Sequence, residues 1–505
     1  MKKLIRFLFN RITVTVFLLL IQIIWLAQLI LRFKEQAVWL GAVTGVLSLI
    51  VMLLIVLSRR NPVYKIGWLF LVGVLPIVGI FLYILFSNKL PGKRLREKIE
   101  GNEKELKRQI EESGRKADAR IPDERLAATS RYIAAQGPFP LQTDTSVKYY
   151  SLGELMFEDM LRDMKAAEKF IFFEYFIVDE GKMWRQMKEI MKEKARQGVD
   201  VRVIYDDFGC LLVLPENFKE ELRQVGIKVV AFNPLVPVLA LGMNNRDHRK
   251  ILVVDGNIGY NGGINIADEY INEIVRHGHW KDTGVRLEGE ATVNLTAMFL
   301  SVWNAYEEVR LDLESYLPTV KVEGEGFVQP FSDSPLDDEL LSETVYMDIL
   351  WQAKDYVYIF TPYLIIDHEM TVALTAAAKR GVDVRLLLPK IPDKKIVFDL
   401  ARSYFDQLLE GGVRIYLYTP GFVHAKSYVS DDRIAVVGTI NMDYRSLYLH
   451  FECGTFMVDT KAVMELKEDC LATFALSEEV KREELRFGLI RKLYQAALRI
   501  ISPLA

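Results

Sequence analysis

Two stretches of the 505-residue chain carry one frame, H-x-K-x4-D-x6-G-x-x-N. The first places His248, Lys250, Asp255, Gly262 and Asn265; the second places His424, Lys426, Asp431, Gly438 and Asn441 at the same spacing. The chain has only six histidines, so chance is a poor explanation for two of them in identical frames. An imidazole attacks or moves protons near neutral pH, an ammonium binds anionic oxygen, an Asn amide donates, and glycine lets backbone approach a ligand closely. Displacement at a phosphodiester asks for such a set. It needs a nucleophile on one side of phosphorus, a proton donor for the leaving alkoxide on the other, and positive charge on the non-bridging oxygens. One frame cannot fill both histidine roles; two can, without a metal or any other cofactor.

The elements around the frames must position them. HRKILVVDG and HAKSYVSDD each read as a strand entering a tight turn. Residues i and i+2 of a strand share a face, so the His and Lys of each frame are expected side by side. Asp255 and Asp431 fall in the turn, where turn chemistry alone accounts for them; contact with substrate is the other reading. The surroundings repeat as well: ARQGVDVRVIYDD (195 to 207) returns as AKRGVDVRLLLPK (378 to 390), each preceded by a helix and an apolar aromatic strand. Helices alternating with apolar strands predict an α/β body with a largely parallel sheet in two tandem halves, 145 to 312 and 325 to 478, joined by a linker at 313 to 324.

The N-terminus, 1 to 91, is a different material. Three charge-free apolar runs, 12 to 31, 37 to 57 and 66 to 86, are each about long enough to cross roughly 30 Å of hydrocarbon as a helix, which predicts a multi-pass membrane anchor. A cleaved leader fits poorly, because the first run is long and two more follow. Lys and Arg are tied at seven on each side of a three-span arrangement. Were the first run re-entrant, the basic N-terminus and the C-terminal body would share the cytoplasmic side, and that is the expected topology. Cys210, Cys453 and Cys470 are odd in number and widely spaced, which predicts buried thiols in a reducing compartment and no zinc site.

The stretch 92 to 144 is highly charged and reads as a solvated, partly helical linker. The tail 479 to 505 reads as an amphipathic helix, packed on the body or lying on a bilayer. Phe170, Phe172, Phe173, Phe176, Phe208 and the loop PLVPVLALGM before His248 could line an entrance for acyl chains; core packing is the stronger reading for most of them, and the loop is the least core-like. A net charge of -3 offers no basic field for nucleic acid.

Both frames resemble the HKD signature of the phospholipase D superfamily, and the likeness runs over about 140 to 480. More narrowly, it resembles the bacterial cardiolipin synthases, through RRNPVYKIGWLFLVGVLPIVGIFLY, HRKILVVDGNIGYNGGINIADEYIN with WKDTGVRLEG, and VHAKSYVSDDRIAVVGTINMDYRS with FECGTF. Within the frames only Gly263 and Thr439 stand where that family often has Gly or Ser. The resemblance implies a duplicated phospholipase D-like fold whose halves share one active site. It implies transfer of a phosphatidyl group between two phosphatidylglycerol molecules, giving cardiolipin and glycerol through a phosphatidyl-histidine. His248 would be the nucleophile and His424 the acid and base. Lys250, Lys426, Asp255 and Asp431 would complete the catalytic set, Asn265, Asn441, Gly262 and Gly438 would contact substrate, and Asp282 and Glu452 would orient the histidines. The alternative is a membrane-bound hydrolase of phospholipid or nucleic acid.

Overall fold

The computed structural model describes Ile24 and residues 37–58, 61–86, 93–114, 121–234, 245–337, 339–485 and 488–502. They fall into two compact units. The first expected span, 12 to 31, lies outside the described residues apart from Ile24, as does the loop at 235–244.

Three helices make up the described part of the first unit: Ala37–Leu57, Pro62–Val74 and Pro76–Phe86. Asn61 caps the second, its side chain accepting from Val63 N at 2.9 Å. The third expected span, 66 to 86, is not one helix. Proline 76 has no N–H and cannot continue the preceding turn, so the run divides into helices of 13 and 11 residues. A side chain at Gly79 would stand 2.6 Å from Leu71 O, so only glycine lets the two pieces fold this closely. Val51, Ile55, Trp68, Val72 and Ile80 form a small core, while Leu53, Leu54, Leu57, Ile66, Phe70 and Ile84 face outward. Among the described residues no helix is long and apolar enough to cross a membrane.

The second unit holds two large sheets and a two-stranded one. The first half contributes β1 (Thr145–Tyr150), β2 (Phe170–Tyr175), β3 (Asp200–Asp206), β4 (Lys228–Phe232), β5 (Arg246–Asp247), β6 (Lys250–Val254), β7 (Ile258–Gly262), β8 (His279–Lys281) and β9 (Gly284–Gly289). The second contributes β10 (Phe327–Asp333), β11 (Tyr356–Phe360), β12 (Asp383–Pro389), β13 (Arg414–Tyr418), β14 (Gly421–Val423), β15 (Ser427–Ser430), β16 (Ile434–Gly438), β17 (His450–Val458) and β18 (Ser477–Glu479). Their orders, β1-β9-β7-β6-β2-β3-β4 and β10-β17-β16-β15-β11-β12-β13-β18, match strand for strand until β18 is added at the edge. The repeated sequence is therefore a repeated fold.

These sheets are mixed, not largely parallel. Only β2-β3-β4 and β11-β12-β13 run parallel along each sheet, because helices such as Lys182–Arg196 and His368–Lys379 carry the chain back between them. The remaining neighbours pair antiparallel; β6–β7 and β15–β16 are joined by tight turns, whereas β2–β6 and β11–β15 meet across long stretches of chain.

The charged stretch after residue 92 is not a solvated linker. Its helix Lys93–Glu112 buries Ile99, Leu106 and Ile110 in the main core. Asn102 Nδ2 donates to Ser301 O at 2.9 Å and Lys98 Nζ to Ala305 O at 2.9 Å, both on the helix Thr292–Tyr306, which is almost entirely buried. The C-terminal helix begins at Leu489, ten residues later than the tail's expected start, and runs to Ile501. It packs through Leu498 and through Arg499, whose guanidinium lies 4.3 Å over the Tyr404 ring; Leu489, Ile490 and Leu493 stay exposed. All three cysteines are buried and unpaired.

Candidate active site

The two halves exchange short strands, and that exchange builds the site. β5 lies parallel to β17, with Arg246 opposite His450 and Asp247 opposite Phe451. One residue further, His248 N donates to Phe451 O at 2.9 Å and the His248 side chain lies beside Glu452. β8 lies parallel to β14, with Lys281 opposite Val423, and the next step brings His424 beside Asp282, His424 N donating to Lys281 O at 2.7 Å. Each histidine is thus delivered by one half to a carboxylate of the other. The histidines sit in extended breaks between strands and not within a strand. Lys250 opens β6, and Lys426 ends the break before β15.

His248 Nδ1 stands 2.9 and 3.0 Å from the two oxygens of Glu452. Glu452 also accepts from Ser446 Oγ at 2.6 Å and from Thr439 Oγ1, so its lone pairs are well used. His424 Nδ1 is 2.7 Å from Asp282 Oδ2, and Asp282 Oδ1 accepts from Thr283 N at 2.8 Å. A carboxylate at Nδ1 draws the proton there and leaves Nε2 with a free lone pair, the tautomer that a nucleophile or base requires. Lys250 Nζ donates to His248 O at 2.6 Å. Lys426 Nζ lies 2.8 Å from His424 Nδ1 and against His424 O; with Nδ1–H committed to Asp282, the ammonium proton goes to the carbonyl.

Burial decides the resting charge state. Loss of water pulls His248 down to about 3 and His424 to about 4, in spite of the adjoining carboxylates. Desolvation lowers Lys250 to about 8 and Lys426 to about 7. Lys250 of the first frame also disfavours the charged forms of His424 and Lys426 in the second, so the frames act on one another electrostatically. Burial works to raise Glu452 and Asp282, but their histidines outweigh it and hold both carboxyls below the usual range.

The other frame residues divide by task. Asp255 and Asp431 take left-handed backbone, φ 54° and 53°, and do not reach the histidines. Asp255 accepts from the N–H groups of Glu168, Lys169 and Phe170 at 2.8 to 2.9 Å, and Asp431 from Lys354, Asp355 and Tyr356 at 2.8 to 3.0 Å. They tie each frame's turn to the start of β2 or β11, so their place in the catalytic set is corrected to an anchoring one. Gly262 and Gly438 are also explained by backbone. A Cβ on Gly262 would stand 2.6 Å from Thr283 O, and on Gly438 2.3 Å from Cys453 O, so the close β7–β9 and β16–β17 approach requires glycine with no ligand invoked. Gly263 makes room for Asp282, whose Oδ1 would stand 2.1 Å from a Cβ there, whereas Thr439 at the matching place donates to Glu452.

Asn265 is committed within the protein, accepting from Ile177 N at 3.1 Å and donating to Tyr270 Oη at 2.7 Å. Asn441 is buried, and among the described residues its Oδ1 has no hydrogen-bond partner. Phe170, Phe172 and Phe173 are core residues of β2; Phe176 alone of that group meets the site, its ring 5.0 Å from that of His248, and Phe208 is 46% exposed. Sequence reasoning missed two features. Arg249, between His248 and Lys250, points to the opposite side and pairs with Glu174 at 2.6 Å and Asp247 at 3.1 Å; strand alternation could have shown it. His450 lies beside His248 with ring centroids 5.5 Å apart, and only the β5–β17 register reveals that. His248, His450 and Glu452 each offer a donor atom within 4.8 Å of the others and so could approach a cation, but Glu452 is already taken up by His248, Thr439 and Ser446.

Residues 160–290 and 346–472 match the family described as cardiolipin synthase, PLD-like domain, and residues 46–88 match one described as phospholipase D-nuclease N-terminal. Cardiolipin synthases of Geobacillus kaustophilus and Halalkalibacterium halodurans are 36% and 32% identical to this chain, over 92% and 98% of it and 95% and 99% of their own lengths. The chain belongs to the cardiolipin synthase, phospholipase D-like family. It is an enzyme, a phosphatidyltransferase of the cardiolipin synthase type. An uncharacterized protein of Streptococcus mutans is 43% identical over 90% of this chain and 99% of its own. A crystal structure of phosphatidylserine synthase from Haemophilus influenzae shares the fold, with a TM-score of 0.56 at 15% identity over 71% of this chain and 95% of that one.

Proposed function

We propose that this enzyme makes cardiolipin and glycerol from two molecules of phosphatidylglycerol. The observation that carries the reading is the crossed pairing of each histidine with the other half's carboxylate, which leaves two Nε2 atoms free and two ammonium groups beside them. His248 Nε2 attacks phosphorus and the phosphorus–glycerol oxygen bond breaks, while His424, protonated at Nε2, gives that proton to the departing glycerol. A headgroup hydroxyl of a second phosphatidylglycerol then loses its proton to His424 Nε2 and attacks phosphorus. The phosphorus–nitrogen bond breaks and cardiolipin leaves. Lys250 and Lys426 balance the non-bridging oxygens, and Asn441 offers its amide. The carboxylates hold each imidazole ready and stabilise the imidazolium of His424.

Family relatedness supports a membrane setting, and the outward apolar faces of the N-terminal helices fit one. The enzyme is assigned to the cell membrane, with the catalytic unit on the cytoplasmic side. Transfer to a lipid hydroxyl must outcompete water, which favours a site opening on lipid. The test is incubation of membranes with labelled phosphatidylglycerol. Cardiolipin with equimolar glycerol is expected; phosphatidic acid without cardiolipin would mean a hydrolase. In His424→Ala, labelled phosphatidyl-histidine should accumulate and in His248→Ala it should not; the reverse pattern would exchange the two roles. A cysteine placed at Val309, 77% exposed, should react with an impermeant maleimide only after cells are opened.

A further inference from the structure

The site contains a third imidazole for which the two-histidine reaction has no use. His450 opens β17 opposite Arg246, and this register sets its ring beside those of His248 and Phe176, at centroid separations of 5.5 and 6.4 Å. Its side chain is only 10% exposed, yet among the described residues neither ring nitrogen has a hydrogen-bond partner. The contrast with His248 and His424, each held by a carboxylate, is sharp. An enclosed polar group without a partner is costly, and native proteins rarely keep one unless something else completes it. Glu452 attracts His450 electrostatically but completes it poorly: His450 Nδ1 stands 3.8 Å away, and the carboxylate oxygens already serve His248, Ser446 and Thr439.

We propose that His450 binds the hydroxyl-bearing headgroup of the lipid substrate. A neutral imidazole presents one N–H donor and one lone-pair acceptor. That pair is complementary to a hydroxyl, which both accepts and donates, whereas a phosphoryl oxygen would use the donor alone and leave the acceptor unmet. The spacing agrees. A ring nitrogen of His450 and one of His248 lie within 4.8 Å. The glycerol oxygen that leaves lies across phosphorus from His248, beside His424, so the hydroxyls that His450 recognises are the free ones of the headgroup. His450 is on this account a specificity residue, recognising the glycerol and taking no part in bond making. The inference rests on the proposed phosphatidyl transfer.

The test uses full-length enzyme in vesicles and two donors: phosphatidylglycerol, and phosphatidylethanol, whose headgroup carries no hydroxyl. His450→Phe keeps the ring and removes both polar atoms; His450→Gln restores one donor and one acceptor. In His450→Phe, KM for phosphatidylglycerol should rise about tenfold, the effect of one or two lost hydrogen bonds, with a smaller change in kcat. Formation of phosphatidyl-histidine from phosphatidylethanol should change less than about twofold, and His450→Gln should recover most of the loss. Equal effects on both donors, or none on either, would overturn the role. Failure of the underlying reading is distinguishable, since wild-type enzyme would then yield no cardiolipin, while the comparison of the two donors at the phosphatidyl-histidine step still reads His450.

Discussion

At the scale of residues, the two histidines are poised by their neighbours more than by themselves. Glu452→Gln and Asp282→Asn preserve shape but remove the charge that keeps the proton on Nδ1. Each is expected to lower kcat by about 10²- to 10⁴-fold with little change in thermal stability, measured as cardiolipin formed per enzyme. A near-normal kcat in either variant would show that the tautomer does not depend on the carboxylate. The second prediction concerns protons. With His248 held at about 3 and His424 at about 4, both imidazoles are neutral in the empty enzyme at pH 7, and Lys426 at about 7 is only half charged. A bound phosphate-like anion favours the cations, so binding of vanadate should take up about one proton. Calorimetry in buffers of different ionisation enthalpy reads this directly; an observed enthalpy independent of buffer would sink it. The same depressed pKa values weaken the fold in acid. The unfolded histidines bind protons from about 6.5 downward and the folded ones do not, so their stability contribution is full above that pH and is lost as it falls towards 3.

Elements explain the remaining members of the frame. Asp255 and Asp431 each gather three backbone N–H groups at a left-handed turn, which is structural work. Asp255→Ala and Asp431→Ala should each lose about 2–4 kcal/mol in denaturant unfolding, by leaving those donors unmet and forcing Ala to positive φ. The folded fraction should retain most of its kcat. A variant as stable as wild type but inactive would return the Asp to the reaction. Strand alternation correctly paired His with Lys in each frame, but it could not show that Gly262 and Gly438 answer to the carbonyls of Thr283 and Cys453 across the sheet. That neighbour belongs to a strand whose register no local pattern reports.

For the whole molecule, the consequence is that neither half is sufficient. β5 completes its pairing on β17 and β14 on β8, so each His–carboxylate pair exists only when both halves are folded together. The helix Lys93–Glu112 belongs to that assembly. Replacing Ile99 and Leu106 together by Asp puts two carboxylates into the main core and should cost several kcal/mol, seen as a much lower Tm and loss of activity. An unchanged Tm would restore the reading of this stretch as a solvated linker. Its burial escaped the sequence because a narrow apolar stripe, Ile99, Leu106 and Ile110, is outnumbered by charge, and only the facing helix Thr292–Tyr306 makes it a buried face.

What the sequence determined by itself is local and periodic. The duplication, the α/β character, the His–Lys pairs, the turn positions of the two Asp residues and the apolar N-terminus all follow from spacing that a single segment carries. Tertiary structure decided what depends on which strands become neighbours. It made the sheets mixed, broke the run 66 to 86 at Pro76, buried the charged helix, brought Asp282 to His424 and Glu452 to His248, and enclosed His450. The physical reason is that a hydrogen bond between residues far apart in the chain is fixed by register and packing, and these are properties of both partners at once. The chain spells out each imidazole; only the crossed strands supply the carboxylate that makes it usable.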